Sequence, residues 1–236
     1  LSGGRFHLGV GTGENLNEGP LGYPFPKYAE RAARMAEALQ IMRKLLDGEK
    51  LDFAGEYYRT DRAKLYSPPI GRVPIWLAAG GPKSAALAAR LADGIITSVK
   101  DPVVTTERVI DPASAAAAEA VRATLPIMAS RWSVRADNAD DAWEALSPWR
   151  GLRAPGRLEA VDPAVLRERA DSMDRAEILG SYSMVSTPED YVEVYSPLVT
   201  DLNADVVTIQ TTSLDQEATI AMLGSEVLPT LRALTG

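Results

Sequence analysis

A glycine-rich corner near the start of the chain carries the residues best suited to chemistry. A short apolar strand reaches Val10, the sequence Gly-Thr-Gly-Glu follows at residues 11–14, and Asn17 comes shortly after it. Glycines after a strand leave backbone N–H groups accessible to a ligand, and a carboxylate beside them can hold or pass a proton. This corner predicts a small-molecule site. By pattern alone Glu14 is either a catalytic group of that site, a solvated loop carboxylate or a charge at the start of a helix.

A second glycine corner follows the next apolar strand. Gly80 and Gly81 end that strand, and a proline, Lys83 and Ser84 open the helix after it. Backbone N–H groups at a helix N-terminus carry partial positive charge and suit a phosphate. The motif is short and lacks the G-x-G-x-x-G spacing, so it predicts either a phosphate-binding turn or a plain tight turn.

Further polar residues fall near the carboxyl ends of other predicted strands. Thr97 and Lys100 lie at the end of the third strand, where Lys100 is either an anion ligand or an ordinary surface lysine. Arg131 lies on a mostly apolar strand, and a buried arginine needs an anionic partner. His7 alternates away from its apolar neighbours, which indicates a packing or surface role.

The composition excludes several classes of function. The chain has 236 residues, of which 25 are basic and 32 acidic, and its formal charge of −7 argues against electrostatic binding of nucleic acid. It has no cysteine and one histidine, so thiolate and multi-histidine metal sites are excluded and no metal is expected. No apolar run approaches the roughly 18 residues of a membrane span. We therefore expect a cytoplasmic protein that acts on a small molecule.

Strands and helices alternate along the chain, and this alternation must position the candidate residues. Apolar runs predict five core strands, at residues 5–10, 73–79, 93–98, 126–134 and 205–211. Periodic apolar faces and capping signals predict helices at residues 28–46, 112–124, 139–146, 163–179 and 214–234. Two further helices are predicted, one from the second glycine corner to residue 91 and one that begins at the cap formed by residues 187–190. A short hairpin is expected at residues 51–58.

The mostly apolar strands indicate an α/β chain with a parallel sheet covered by helices. This pattern fits either a doubly wound open sheet or part of an eight-stranded barrel. In both architectures ligands bind where the carboxyl ends of the strands meet the following loops, so the candidate residues are expected to share one site. We expect residues 1–236 to form a single domain, in which the weakly patterned residues 147–163 are a surface excursion or mobile loop.

Six sequence blocks in a fixed order carry a resemblance to a known family. The blocks are Gly9–Glu18, Gly48–Glu49, Gly55–Tyr58, Ala63–Tyr66, Pro74–Pro82 and Ala92–Gly94. In this order they resemble the luciferase-like flavin and deazaflavin barrel superfamily, and most of all its coenzyme F420-dependent branch related to glucose-6-phosphate dehydrogenase. The resemblance is dense over residues 4–98 and thin after them.

The resemblance implies a (β/α)8 TIM barrel that holds the deazaflavin F420 at the carboxyl ends of its strands. It implies an oxidoreductase that transfers a hydride between an alcohol or sugar-type substrate and F420, with Glu14 as the catalytic acid–base group. The cofactor-binding residues that it implies are Thr12, Gly13, Asn17, Gly80, Gly81, Lys83 and Ser84. It also implies a homodimer. The alternatives are an FMN-dependent monooxygenase of the same superfamily and a non-catalytic F420-binding protein.

The residues expected to bind the substrate depart from the family pattern. Sugar-phosphate enzymes of this branch carry a Thr-Ser-x-Lys motif that holds the substrate phosphate, and Thr97 and Lys100 match it only with a one-residue shift. A second basic group expected at residues 180–182 is absent, and residues 211–213 supply no arginine. A single lysine compensates a phosphate dianion poorly. The substrate therefore stays open between a sugar phosphate and an uncharged molecule such as a secondary alcohol.

The first glycine corner also lies unusually early in the chain. The matched family carries about three further β/α units before this strand, in a fold that typically runs to ~250 residues. We therefore expect residues 1–236 to form a partial barrel, about strands 4 to 8, and to be weakly active or inactive alone. Detectable turnover by residues 1–236 would contradict this expectation.

Overall fold

The computed structural model describes residues 2–234, and their internal contacts divide the chain into two compact units. The first unit consists of the chain up to Thr12, Pro26–Thr97 and Val103–Met128. The second unit consists of Gly13–Phe25, Ser98–Pro102 and the chain from Ala129 onward. Each unit has a hydrophobic core of its own.

Most strands of the chain pair in parallel. The strands in the described residues are β1 (Leu8–Val10), β2 (Leu51–Ala54), β3 (Arg59–Ala63), β4 (Ile75–Ala78), β5 (Gly94–Ser98), β6 (Ile127–Arg135), β7 (Ser183–Val185) and β8 (Val206–Ser213). In the first unit, β4 lies between β1 and β5 and pairs with both in parallel, while β2 and β3 form an antiparallel hairpin. In the second unit, β6 pairs in parallel with β7 and also pairs with β8. This is the sheet type expected for an α/β chain.

The helices follow the strands in alternation. They are α1 (Asn15–Glu18), α2 (Tyr28–Leu46), α3 (Pro82–Leu91), α4 (Pro102–Thr105), α5 (Asp111–Glu119), α6 (Ala139–Ala145), α7 (Pro163–Asp171), α8 (Arg175–Leu179), α9 (Pro188–Thr200), α10 (Gln216–Met222) and α11 (Leu228–Ala233). Short 3₁₀ helices occur at Gly19–Leu21 and Arg150–Arg153. Two π-helical turns, Thr106–Ile110 and Leu223–Val227, join α4 to α5 and α10 to α11.

The predicted elements are largely confirmed, with four corrections. The hairpin predicted at residues 51–58 is wrong in its bounds, because its second strand, β3, begins at Arg59 and ends at Ala63. The helix predicted at 112–124 is wrong in its bounds. Helical structure already begins at Pro102 with α4, and it ends at Glu119, where α5 ends. The helix predicted at 163–179 is two helices, because Asp174 caps α8 by accepting a hydrogen bond from the Ala176 N–H at 3.0 Å. The strand β7 is absent from the prediction, since its three residues are too few to show a pattern.

Small residues pack the helices of the first unit against its sheet. The alanines that are buried on α3 and α5 are Ala85, Ala88, Ala89, Ala113, Ala116 and Ala117. Small side chains allow two helices to approach closely, and these two helices cover the fully buried Ile75 and Leu77 of β4. The end of β4, which leads into the second glycine corner, is therefore part of a rigid core.

Asp93 joins three segments at the start of β5. Its carboxylate accepts hydrogen bonds from the Arg43 guanidinium, from Arg72 Nη2 at 2.7 Å and from the Ile75 N–H at 2.8 Å. Burial alone would raise the pKa of Asp93, but these donors and the two positive charges hold it below its usual value. The residue therefore has a structural role in the first unit.

Gly94 follows Asp93 and faces an indole ring. A Cβ atom on Gly94 would lie 2.4 Å from Cε3 of Trp76, which is 5% exposed in the core. A ring packed in this way cannot move aside without disturbing the core. The Ala-Asp-Gly block in the resemblance is thus explained by packing and ion pairing.

The core of the second unit contains two fully buried tyrosines from α9. The Tyr195 hydroxyl donates to the Arg131 carbonyl oxygen at 2.7 Å and lies 3.1 Å from Ser133 Oγ. The Tyr191 hydroxyl lies 2.7 Å from Thr211 Oγ1. Burial raises the pKa of both tyrosines, so both stay neutral donors that link α9 to β6 and β8.

Within residues 2–234, no helix has the length and apolar character needed to cross a membrane. A search of the same residues finds no group of three or more side chains placed to bind a metal ion.

Candidate functional site

An arginine that the sequence does not single out holds the Thr12 corner in the first unit. Arg31, in the first turn of α2, donates from Nη1 to the Thr12 carbonyl oxygen at 3.3 Å and to Thr12 Oγ1 at 3.5 Å. Its Nε donates to the Pro26 carbonyl oxygen at 3.1 Å. Because the Thr12 hydroxyl accepts from Arg31, its own proton stays available for a ligand acceptor.

Gly13 and Glu14 belong to the second unit, where they lead into α1. Gly13 has a φ of +85°, and a Cβ at this position would lie 1.8 Å from Oε1 of Glu18, so a larger residue is strongly disfavoured. The Glu14 carbonyl oxygen accepts from the N–H groups of Asn17 at 3.0 Å and Glu18 at 3.1 Å. The side chains of Glu14 and Asn17 are exposed, and that of Glu14 makes no capping hydrogen bond. The backbone of Glu14 is thus held while its carboxylate stays accessible.

The second glycine corner lies at the N-terminus of α3 in the first unit. Gly80 and Lys83 are exposed, and no heavy atom lies within 4 Å of where a Cβ of Gly80 would be. Ser84 Oγ accepts from the Gly81 N–H at 3.3 Å and donates to the Gly81 carbonyl oxygen at 2.9 Å. The corner therefore offers open backbone at the positive end of a ten-residue helix.

Two further side chains lie at this corner and are not evident from the sequence. Nη2 of the exposed Arg108 lies 3.7 Å from the Cβ position of Gly81. The Tyr28 hydroxyl is shielded from solvent and has no hydrogen-bond partner among the described residues. Burial raises the pKa of Tyr28, and the nearby Ser84 and the charge of Arg31 oppose this rise. The Ser84 side chain lies near the Tyr28 hydroxyl but does not form a hydrogen bond with it. Arg108 lies on the π-helical turn, a feature often found at functional sites.

Two basic side chains lie at this corner. Lys83 and Arg108 are basic, and the first turn of α3 has no acidic residue. The positive end of the helix dipole repels a cation near the helix N-terminus. An anion bound between the two basic side chains and the N-terminus of α3 would therefore lower the electrostatic free energy of this corner. The donors at this corner therefore suit an anionic group.

The two residues predicted to bind substrate differ in their surroundings. Thr97 is 3% exposed on β5 in the first unit. Lys100 is exposed in the second unit and lines a pocket of about 160 Å³. The residues that line this pocket are Ser98, Val99, Lys100, Arg131, Trp132, Arg153, Gly180, Ser181, Tyr182 and Ser183. Three of them are basic and none of these described residues is acidic.

Among the described residues, Arg131 has no anionic partner of the kind that the sequence predicts. Its Nε donates to the Val99 carbonyl oxygen at 3.1 Å, its Nη1 to that of Val194 at 2.6 Å, and its Nη2 to that of Lys100. Three backbone carbonyl oxygens thus compensate the half-buried guanidinium. The arginine fixes the backbone that carries Lys100.

Arg153 supplies a charge that the sequence analysis missed. It comes from the 3₁₀ helix Arg150–Arg153, and its guanidinium lies 4.6 Å from the ring centroid of Tyr182 and 5.9 Å from that of Trp132. Arg153 Nε and Trp132 Nε1 are shielded from solvent without a hydrogen-bond partner in the described part of the chain. Burial raises the pKa of Tyr182, and the positive charge of Arg153 opposes this rise.

Comparison with known proteins identifies the family. The model of the luciferase-like monooxygenase family matches residues 1–196, which is most of the chain. The chain belongs to the luciferase-like monooxygenase family. Its resemblance to that family, predicted from the sequence blocks, is therefore confirmed.

Two curated relatives of this luciferase-like chain are named F420-dependent glucose-6-phosphate dehydrogenase. The protein from Nakamurella multipartita is 34% identical over an alignment of 239 positions, which covers 99% of this chain and 70% of the relative. The protein from Nocardia farcinica is 35% identical over an alignment of 239 positions, which covers 98% of this chain and 70% of the relative.

Solved structures give the same fold for this luciferase-like chain. An F420-dependent secondary alcohol dehydrogenase, solved in complex with an F420–acetone adduct, matches with a TM-score of 0.86 and 28% identity, covering 98% of this chain and 71% of that one. An F420-dependent tetrahydromethanopterin reductase from Methanopyrus kandleri matches with a TM-score of 0.73; at 20% identity it shows the fold alone, covering 98% of this chain and 75% of that one. The predicted luciferase-like α/β fold is confirmed. The partial barrel and the single domain stay predictions.

Proposed function

We propose that the protein is an F420-dependent oxidoreductase that transfers a hydride between an alcohol or sugar-type substrate and the cofactor. The observation that carries this proposal is the identity of 34–35% to relatives named F420-dependent glucose-6-phosphate dehydrogenase over nearly the whole chain. The TM-score of 0.86 to an F420-dependent secondary alcohol dehydrogenase supports the same chemistry.

The second glycine corner fits the anionic tail of F420. Its donors are the backbone at Gly80 and Gly81, the charges of Lys83 and Arg108, and the Tyr28 hydroxyl, which has no hydrogen-bond partner among the described residues. Such a set suits a phosphodiester at a helix N-terminus. When bound, F420 supplies a deazaflavin ring that exchanges a hydride with the substrate. Ser84 closes the turn that presents the backbone donors.

The residues of the first glycine corner are proposed to bind the deazaflavin and to move a proton. The hydroxyl of Thr12, the backbone of Gly13 and the amide of Asn17 suit the polar edge of a neutral ring. The carboxylate of Glu14 is accessible and carries no hydrogen bond that its ionisation would break. We assign Glu14 the acid–base role on this basis.

The Arg108→Gln variant is expected to bind F420 with an affinity about three- to tenfold lower. It removes one charge near the proposed phosphodiester, and an exposed contact of this kind is worth about 1 kcal/mol. Fluorescence titration with F420 at low and at high salt measures the effect, which should shrink at high salt.

Arg59→Gln is the matched control for Arg108→Gln, because Arg59 is an exposed arginine on the hairpin strand β3 of the same unit. It should leave the affinity unchanged. Equal affinities for Arg108→Gln and the wild type at low salt would remove Arg108 from the proposed site.

We also propose a cytoplasmic homodimer; the dimer rests on the family resemblance, and the compartment rests on the composition of the chain. Light scattering of the purified protein at micromolar concentration measures the mass, and fractionation of cells measures the compartment. A monomeric mass would contradict the dimer, and recovery outside the cytoplasmic fraction would contradict the location.

A further inference from the structure

We infer that residues 154–162 form a strap that positions the Glu14 carboxylate, and that Asn15 and Gly19 are the residues through which the strap acts. The strap joins the 3₁₀ helix Arg150–Arg153 to α7 in the second unit. The inference rests on the proposed function for the acid–base role of Glu14. The attachment of the strap to α1 is a property of the second unit alone and can be measured without F420.

The helix α1 is too short to hold its own position. It has four residues, and isolated helices shorter than about 12 residues are marginal in water. Glu14 is its N-cap residue, and the Glu14 carbonyl oxygen accepts from the N–H groups of Asn17 at 3.0 Å and Glu18 at 3.1 Å. The position of the Glu14 side chain therefore depends on the contacts that hold α1 in place.

The core side of α1 is loosely packed. Leu16 is partly buried against the core of the second unit, and it also lines a pocket of about 280 Å³. A side chain that faces a pocket lacks part of the dispersion contacts of a fully packed one. Contacts elsewhere on α1 are therefore needed to hold it.

The strap supplies two such contacts. Asn15 Nδ2 donates to the Glu159 carbonyl oxygen at 2.8 Å. Val161 packs against Gly19, the residue that follows α1, so closely that a Cβ on Gly19 would lie 2.4 Å from Val161 Cγ1 and 3.0 Å from Asn15 Oδ1. A side chain at residue 19 would therefore displace the strap.

Both ends of the strap are fixed to the second unit. Near its start, Arg169 Nη1 donates to the Pro155 carbonyl oxygen at 3.1 Å and lies 2.4 Å from the Cβ position of Gly156, which has a φ of +76°. At its end, Asp162 caps α7 by accepting from the Ala164 N–H at 2.8 Å. The strap is thus a fixed support against which α1 is held.

A small shift of α1 would move the Glu14 carboxylate away from the reacting atoms. Proton transfer needs a heavy-atom distance of about 2.6–3.2 Å, and a misplacement of about 1 Å can lower a rate about 10²-fold. Loss of the strap contacts should therefore lower kcat and change KM much less, because the residues proposed to bind F420 at the second glycine corner lie in the other unit.

Pro20 complicates the substitution of Gly19, and a second substitution separates the two effects. Gly19 has φ −57° and ψ −44°, and a residue with a Cβ before a proline is disfavoured in this helical conformation. Val161→Ala removes Cγ1 and leaves the Val161 Cβ 3.3 Å from the Cβ position of residue 19. It relieves the clash without changing the effect of Pro20, so recovery in the double variant isolates the contact with the strap.

The first experiment measures the attachment of α1 without F420 or substrate. Hydrogen exchange of the backbone amides of residues 15–18 is compared in the wild type, Asn15→Ala, Gly19→Ala and the double variant Gly19→Ala with Val161→Ala. We expect exchange at least about tenfold faster in Asn15→Ala and in Gly19→Ala, with protection partly recovered in the double variant. Leu158→Ala is the control, because Leu158 is a strap residue whose side chain is 63% exposed, and it should leave exchange unchanged.

Wild-type exchange in both Asn15→Ala and Gly19→Ala would overturn the inference. Exchange in the double variant as fast as in Gly19→Ala would remove Gly19 from it, because Pro20 alone would then explain the loss. These outcomes do not depend on any activity of the protein.

The second experiment tests whether the strap acts through Glu14. In the intact protein with F420, Asn15→Ala and Gly19→Ala should lower kcat about tenfold with less than about threefold change in KM, and Val161→Ala should restore part of the kcat lost in Gly19→Ala. In a Glu14→Gln background, Asn15→Ala should cause no further loss of kcat, because the group that it positions no longer exchanges a proton.

The same loss of kcat from Asn15→Ala in both backgrounds would overturn the positioning role. A wild type that turns over no substrate with F420, but whose exchange at residues 15–18 depends on Asn15 and Gly19, would refute the proposed function and leave the attachment of α1 to the strap standing.

Discussion

Replacing Glu14 with glutamine is expected to lower kcat about 10²- to 10⁴-fold, the usual range for loss of a general acid or base. The amide has nearly the shape of the carboxyl group but cannot exchange a proton. The backbone of Glu14 has φ −135° and ψ 138°, and its carbonyl oxygen starts α1, while its side chain makes no capping hydrogen bond. The substitution should therefore leave the local fold and the affinity for F420 nearly unchanged.

Steady-state kcat and KM for the wild type and for Glu14→Gln measure this effect. Glu18→Gln is the control, because Glu18 is the carboxylate at the end of α1, one turn after Glu14, and lies against the Gly13 position. Its substitution should change kcat by less than about tenfold, since no proton transfer is assigned to it. A reversed order, with Glu18→Gln the more damaging change, would contradict the assignment of Glu14.

Replacing Asp93 with asparagine is expected to lower the free energy of unfolding by about 2 kcal/mol, a value typical of hydrogen bonds that involve a charged group. The side chains of Asp93 and Arg43 are each 18% exposed, so the variant leaves a poorly hydrated arginine without its counter-charge. Arg72 is 60% exposed at the side chain, so its loss in Arg72→Gln should cost less than about 1 kcal/mol. Urea unfolding of the two variants measures the difference.

The Asp93 interaction also predicts a dependence of stability on pH. Its pKa in the folded protein is below the ordinary value, so its contribution is complete above the unfolded pKa of about 4 and is lost as the pH falls through the folded value. The wild type should therefore lose more stability than Asp93→Asn between about pH 5 and pH 2. Parallel profiles for the two proteins, or equal stability at neutral pH, would contradict this account of Asp93.

The elements of the fold that follow from local pattern could be read from the sequence. The helix α2 has the predicted bounds because its apolar residues repeat at spacings of three and four, and Asp47 and Gly48 end it. The strand β7 could not be read, since three residues show neither alternation nor an apolar run. The break between α7 and α8 depends on the single capping residue Asp174, which an amphipathic pattern does not reveal.

The residues of the candidate site also fall into those that a local sequence pattern predicts and those that it does not. Glycine corners at strand ends are local signals, and Gly13 and Gly81 lie where the sequence predicts. The contacts of Arg31, Arg108 and Arg153 are made with residues distant along the chain, and no local pattern identifies them. The sequence leaves the substrate open because residues 180–182 lack the expected basic group, and the structure places the basic Arg153 beside these residues in the lining of one pocket.

The most direct test of the central claim is a titration of the purified intact protein with F420 and, separately, with FMN, followed by addition of a substrate alcohol without oxygen. We predict that F420 binds more tightly than FMN and that an alcohol or sugar-type substrate then reduces it, as its absorbance and fluorescence report. Tighter binding of FMN, together with oxygen consumption in a parallel assay in air, would indicate the monooxygenase alternative. Binding of F420 without reduction by any alcohol or sugar phosphate would indicate a non-catalytic binding protein, and either result would contradict the account.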